Sequence, residues 1–512
     1  MNYRKAFRFL RRCCQAGFLI LFLFLFRRTD YSGEDTLEWA VNIFFRWDPL
    51  VAVTSMLAAK TFILLFLPSL VIVGLTLIFG RVFCGWICPL GTLLDTAGRV
   101  IKPVTGQRFH LRHVKYFLLV VLLVSSLYRV QLTGFLDPFA LLVKGLVFAV
   151  DPALNQVVTT FFDTIYISGP RWLSSMTEPV YAVLKDNLLP FKQSYFFLSL
   201  FSFTILASLF FLELLEKRFW CRNLCPLGGL LALISRASFF RRTPAGSCHH
   251  CKLCSSMCPM EAFSSEGKMM HDECTLCMDC LEYCPQALTL FRPALPRNRA
   301  AMDLNRRHLI TAAITGISLP ALINSDAAAQ TKNTNIIRPP GALKEEDFLA
   351  LCARCGECMK VCIHNSLQPL FLEKGLEGMF TPKLVPRLGY CEFNCTLCSQ
   401  VCPTGAIEPM TLQEKQTFVM GTAYFDKNRC LPFAEKKPCI VCEEHCPVPN
   451  KAIKFNRVKT VDRKNRPVEL KLPYIVQERC IGCGICETKC PVEGRAAVRV
   501  MAAGNATAPY SF

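Results

Sequence analysis

Long apolar runs dominate the first half of the chain. They lie at Cys13 to Phe26, Phe62 to Phe83, Tyr116 to Val130 and Tyr195 to Leu215, and the second and fourth are long enough to cross about 30 Å of hydrocarbon at about 1.5 Å per residue. The first has 14 residues between Arg12 and the pair Arg27 and Arg28, so it spans only if those arginines snorkel and the bilayer thins. No small-residue cleavage site follows Phe26, which argues against a signal-peptide core there. The pattern predicts an α-helical membrane domain with four spans over residues 1–240. The stretch from Leu132 to Pro190, amphipathic near Leu141 to Val150, is expected to lie on the outer membrane surface.

Lys and Arg number five before Cys13, five from Arg99 to Lys115 and six from Lys217 to Arg242, against five spread over Arg129 to Lys192. The positive-inside rule places the three dense groups in the cytoplasm. A fifth apolar segment, Leu309 to Ile323, differs in kind: Arg306-Arg307 precedes it and Ala327-Ala328-Ala329 follows. That order reads as a twin-arginine export signal within a linker at 296–330, which would put residues 331–502 in the periplasm of a bacterial inner-membrane protein. The tail at 503–512 carries no visible chemistry.

Hydrophobic residues make up 52% of the 512 and charged residues only 19%, which excludes both a disordered chain and a fully water-exposed globule. The formal charge of +19 would ordinarily raise nucleic acid as a partner. It is discounted here. The 30 cysteines split into six before residue 226 and 24 after it, and if those 24 hold six iron–sulfur cubes of charge roughly −2, the metallated chain falls to roughly +7.

Within the membrane half, Arg81-Val82-Phe83-Cys84-Gly85-Trp86-Ile87-Cys88-Pro89-Leu90-Gly91 recurs as Arg218-Phe219-Trp220-Cys221-Arg222-Asn223-Leu224-Cys225-Pro226-Leu227-Gly228. Asp48-Pro49 precedes the first copy and Asp137-Pro138 the second, so the domain reads as two parallel units. Cysteines four apart share a helix face, with the proline expected to end the turn. Cys84, Cys88, Cys221 and Cys225 are redox-relay candidates: they could form dithiols, bind a metal jointly, or pack as small apolar residues. Cys13 and Cys14 have no such partner. No histidine lies inside a proposed span and no C-x-x-C-H occurs, so haem is not expected.

The spacing C-x2-C-x2-C-x3-C-P occurs at Cys248, Cys251, Cys254, Cys258, at Cys274, Cys277, Cys280, Cys284 and at Cys480, Cys483, Cys486, Cys490. Variants follow at Cys352, Cys355, Cys358, Cys362, where Ile363 replaces proline, at Cys391, Cys395, Cys398, Cys402 and at Cys430, Cys439, Cys442, Cys446. Three sulfurs from one tight turn wrap a cube face while the fourth points at a neighbouring cube. Zinc sites set their ligand pairs further apart, and disulfide frameworks have no reason to repeat x2-x2-x3 before proline. Six [4Fe-4S] clusters bound by these 24 cysteines are expected. In the first module, at 241–295, Cys248, Cys251, Cys254 and Cys284 would hold one cube and Cys274, Cys277, Cys280 and Cys258 the other.

On these motifs, residues 1 to about 292 resemble the NapH and MauN membrane polyferredoxins, and residues 303 to about 500 look like the four-cluster NapG and MauM type. The resemblance implies two α+β ferredoxin-like modules, one on each face of the membrane, and quinol dehydrogenase activity feeding a periplasmic reductase or multihaem cytochrome. It also implies a four-cube wire with the first quartet paired to the fourth and the second to the third. Expected partners are lipid, the quinol pool, the periplasmic acceptor and the twin-arginine export machinery. The alternative function is a polyferredoxin that reduces or matures the metal centre of another respiratory enzyme.

Overall fold

A proline at the first helical position gives up an N–H that has no partner there anyway, and an aspartate before it caps the free amides of the first turn. Both Asp-Pro dipeptides work this way in the computed structural model, which describes residues 3–101, 103, 111–187, 189–190, 192–244, 253–263, 269–282, 289–293, 305–330, 335–461 and 467–503. Asp48 accepts from the amides of Leu50 at 2.7 Å and Val51 at 3.3 Å and opens the Pro49–Ala59 helix. Asp137 accepts from Ala140 at 2.9 Å and opens Pro138–Gly145. The two carboxyls are fully buried and lie within each other's electrostatic reach where the halves of the domain meet.

The repeat reaches well beyond its eleven-residue motif. One unit runs Tyr3–Arg28, Pro49–Ala59, Ser69–Phe79, a wide turn Phe83–Ile87, then Pro89–Val100. The other runs Arg112–Leu127, Pro138–Gly145, Ser199–Phe211, a wide turn Trp220–Leu224, then Pro226–Ser235, with Asp151–Ser168 and Arg171–Asn187 inserted. The units interlock: Pro49–Ala59 packs on Arg112–Leu127, and Ser69–Phe79 on Pro226–Ser235. Phe44, Phe45 and Phe83 gather around the Phe139 ring at 5.7, 6.1 and 5.9 Å between centroids.

The apolar run from Phe62 to Phe83 does not form one helix. Pro68 delays the helix to Ser69, and Gly80, at φ +85°, ends it after 11 residues, roughly 16 Å. Among the described residues, Ala6–Arg28 and Pro138–Ser168 are long and apolar enough to cross a bilayer. The second falls in the stretch read as an outer surface segment, and Leu142, Val143, Val147 and Phe148 are buried there rather than set on an amphipathic face. Ile20, Phe24, Leu70, Ile78, Leu200, Phe203, Ile314 and Ile317 are exposed, an apolar belt that supports membrane association.

The segment after the twin arginines forms a single helix, Arg306–Gln330, roughly 37 Å long. It lies along Arg112–Leu127 with both helices entering from the same end, where the His113 and His308 rings stack at 4.7 Å. Further along, Ser125 Oγ donates to Gly316 O at 3.3 Å, and a Cβ on Gly316 would stand 2.7 Å from that of Val124. Small residues allow this approach.

Residues 335–503 form the larger α+β module. Gly421–Phe425 pairs antiparallel with Val498–Ala502, Ile453–Val461 with Pro467–Ile475, and Leu367–Pro369 with Pro382–Leu384. In the smaller module Phe240–Pro244 pairs with Thr289–Pro293.

Candidate metal centres

A thiol loop closes around a metal only where the backbone can turn its amides and sulfurs to one side, which calls for left-handed residues. Gly356, Gly482 and Gly484 supply them at φ +88°, +75° and +84°. The result is four voids in the larger module. Cys352, Cys355, Cys358 and Cys402 line one of about 370 Å³; Cys391, Cys395, Cys398 and Cys362 line one of about 400 Å³. Cys480, Cys483, Cys486 and Cys446 line a third, and Cys430, Cys439, Cys442 and Cys490 a fourth, each about 340 Å³. Every void takes three sulfurs from one quartet and one from another.

The exchange runs between the first and second quartets and between the third and fourth, which corrects the first-to-fourth pairing implied by the resemblance. Quartets adjacent in sequence share one ferredoxin unit: the Ala342–Ile407 bridge ties the first two, and the Gly421–Phe425 and Val498–Ala502 strands enclose the last two. The fourth cysteine, four positions beyond the third, lines the neighbouring void of the same unit.

The voids fit multi-iron groups. Among the described residues no three ligating side chains stand close enough to hold a single ion. Backbone N–H groups donate to sulfur from Ile407 to Cys402, Ala423 to Cys480 and Ala497 to Cys490, each at 3.4 Å. Such bonds favour thiolate and tune a bound cluster. Burial pushes the thiols up, Cys430 to about 12 and Cys483 to about 11, so metal loading must displace protons. The voids stand in file: Cys358 and Cys362 share a turn between the first two, and Cys391 N–H donates to Cys483 O at 2.8 Å between the middle two.

The first void is seated on the helical N-terminal domain. Gly134 has no room for a side chain against Ala353 O, and Gly356 packs on the Phe148 ring. Buried Arg354 donates to Gln131 O and, at 2.7 Å, to Glu377 O.

The smaller module sits against the other end. Cys277 lies within electrostatic reach of both Cys258 and Cys274. Cys280 and Cys254 are also described, while Cys248, Cys251 and Cys284 lie outside the described residues. Trp86 Nε1 donates to Leu276 O at 3.0 Å and Arg11 Nη1 to Cys277 O at 3.4 Å, fixing the cysteine loop on the wide turn at Phe83–Ile87. Glu273 anchors it: Arg81 Nη1 stands at 2.8 Å, Lys115 Nζ at 2.5 and 2.6 Å, and the Tyr116 hydroxyl at 3.1 Å. Burial alone would raise this carboxyl, but Lys115 and Arg81 outweigh it and hold it down at about 2. Glu273 was not anticipated, since an acid between cysteines carries no sequence signal of its own.

Cys84, Cys88, Cys221 and Cys225 come together where the two units meet, each within the field of the others. The proline does not end the turn as expected. Cys84 and Cys221 lie in wide turns closed by Cys88 N–H to Phe83 O at 3.0 Å and Cys225 N–H to Trp220 O at 2.9 Å. Cys88 and Cys225 then cap the helices that Pro89 and Pro226 begin.

Profiles described as 4Fe-4S binding domains match residues 61–107 and 194–244, and again 473–494. The ferredoxin-type protein MauM of Methylorubrum extorquens is 33% identical over 214 residues, which is 41% of this chain and 91% of that protein. MauM of Paracoccus denitrificans is 33% identical over 40% of this chain and 86% of its own length. NapG of Escherichia coli is 34% identical over 32% and 70%. The chain belongs to the MauM and NapG family of ferredoxin-type proteins. No solved structure matches it. As a MauM-type protein it has 4Fe-4S ferredoxin domains and serves iron–sulfur electron transfer, and the relatives account for about 40% of its length.

Proposed function

We propose that this chain joins a NapH- or MauN-like membrane part to its MauM-like part and carries electrons from membrane quinol to a periplasmic reductase or cytochrome. The observation that carries this reading is the file of four cysteine-lined voids whose first member is seated on the membrane domain at Gly134 and Phe148 and whose last, at Cys430 and Cys490, lies at the far end. Each [4Fe-4S] group bound there would store and release one electron. The chain's own part is positional. Gly134 and Gly356 permit close approach, Arg354 locks the joint, and thiolates with N–H···S bonds hold the iron.

Six clusters are proposed at the 24 cysteines, with the smaller module on the cytoplasmic side and residues 335–503 on the periplasmic side. The basic groups beside the smaller module and the twin arginines at the start of Arg306–Gln330 support that orientation. The test is to give anaerobic membranes a quinol analogue and follow cluster reduction by EPR. Reduction is expected, and removing the first link with Cys355→Ala should block it in the more distal clusters. Absence of reduction by any quinol would overturn the reading.

A further inference from the structure

Each of the three dense groups of Lys and Arg sends a side chain to one cavity of about 880 Å³, at the end of the helical domain that carries the smaller module. Arg8, Arg11 and Arg12 lie on one face of Tyr3–Arg28, and Asp95 and Arg99 on one face of Pro89–Val100. Glu213, Lys217 and Arg218 come from the turn that follows Ser199–Phe211. The smaller module closes the cavity with Met257, Pro259 and Asp279, and no cysteine lines it. A bias of basic loops toward one side of a bilayer requires a number of cations, not their convergence on one hollow.

The charges divide into a matched floor and an unmatched rim. On the floor, Asp95 binds Arg11 Nη2 and Arg218 Nε, each at 2.5 Å, and Asp279 binds Arg8 Nε at 3.3 Å. Glu213 Oε2 accepts from the Arg218 amide at 2.9 Å. Three carboxylates thus meet three guanidiniums there. Arg12, Arg99 and Lys217 stand at the exposed rim and, among the described residues, have neither an ion pair nor a hydrogen bond. One more atom is unanswered: Glu213 is 1% exposed, and its Oε1 has no hydrogen-bond partner.

We propose that this cavity binds one phosphate group that carries a hydrogen-bond donor, either its own hydroxyl or a hydroxyl or ammonium on its ester. Three unpaired cations around one hollow suit an anion with oxygens on every side, and guanidinium forks match phosphate in particular. Buried Glu213 Oε1 adds the need for a donor. An ionised carboxylate ligand brings none, whereas hydrogen phosphate or a phosphoglycerol headgroup does. The group comes from a lipid or from solution. Exposed Phe9 stands one turn from Arg12, and exposed Val100 follows Arg99, so acyl chains would find apolar surface beside the mouth. Bound there, the phosphate would tie the smaller module to the helical domain, and the inference stands apart from the quinol reading.

Binding to the full chain, purified anaerobically in detergent and stripped of lipid, tests this. Phosphatidylglycerol would be titrated and bound copies counted by native mass spectrometry, and radiolabelled orthophosphate followed by equilibrium dialysis. One copy per chain is expected. Lipid alone identifies a headgroup as the source, orthophosphate alone a free phosphate, and competition between them the shared group. In each arm a counterpart without a donor is the control, phosphatidylcholine for the lipid and sulfate for orthophosphate. It should bind about tenfold more weakly, and Glu213→Gln, which turns the empty acceptor into a donor, should narrow that gap. Arg12→Gln/Arg99→Gln/Lys217→Gln should weaken the probe about a hundredfold. These side chains are exposed, and unchanged cluster EPR signals would show that the triple variant is folded. Neither probe saturating at one copy, a control that binds as well as its probe, or a triple variant that binds as the wild-type chain does would overturn the proposal.

Discussion

Glu273 shows how one side chain holds a module in place. Its carboxyl sits at about 2 when folded and near 4.3 unfolded, so its contribution is present above about pH 4.3 and is lost as pH falls toward 2. The two values correspond to roughly 3 kcal/mol. Glu273→Gln leaves Lys115 and Arg81 buried without a counter-charge and should cost about 3 to 5 kcal/mol at neutral pH. Urea midpoints of the two proteins measured from pH 7 to pH 3 should converge as the pH drops. The cysteine exchange is also a residue-scale matter. Cys355→Ala and Cys402→Ala each remove a ligand of the same void, so the double variant should lose no more iron than either single one, about four atoms. Combined with Cys391→Ala, the loss should be about eight. Additive losses from Cys355 and Cys402 would reinstate the pairing implied by the resemblance.

At the scale of elements, the helix from Arg306 to Gln330 is the clearest case. Its sequence reads as an export signal, yet it is packed along Arg112–Leu127 as part of the helical domain. The mature protein should therefore remain one polypeptide near 57.7 kDa, and a cut after Ala329 would appear as two fragments on a denaturing gel. Gly316→Leu should force Val124 aside and cost about 1 to 3 kcal/mol, read as a lower melting temperature. Asp48-Pro49 and Asp137-Pro138 were read only as markers of the repeat, and the structure shows that they also start helices, because proline and a capping aspartate act locally. The break at Pro68 and Gly80 was legible in principle, but an uninterrupted apolar run hid it.

For the whole molecule, the expected consequence is a set of redox sites running from one face of the membrane to the other. Reporter fusions after Phe512 should be active outside the cytoplasm in cells with twin-arginine export and inactive in cells lacking it. Activity inside the cytoplasm would place both modules on one side and remove the need for a path through the membrane domain. Two copies of one helix unit bring Cys84 and Cys221 within each other's field, and Arg218 of the second unit donates to Cys84 O of the first.

What the amino-acid order alone determined were the quartets, the repeated motif, the apolar belt and the capping dipeptides. Each quartet, motif copy and dipeptide is set within a short stretch of chain, at most the 17 positions from Cys430 to Cys446, where spacing and chemistry are enough. The pairing of quartets, the meeting of four cysteines between the halves, the counter-charges from Glu273 and Asp95, and the seat of the first void on Gly134 were decided by tertiary structure. Those contacts join residues up to 219 positions apart, as with Gly134 and Ala353, and arise only when buried charges and close-packed glycines must find their complements in three dimensions.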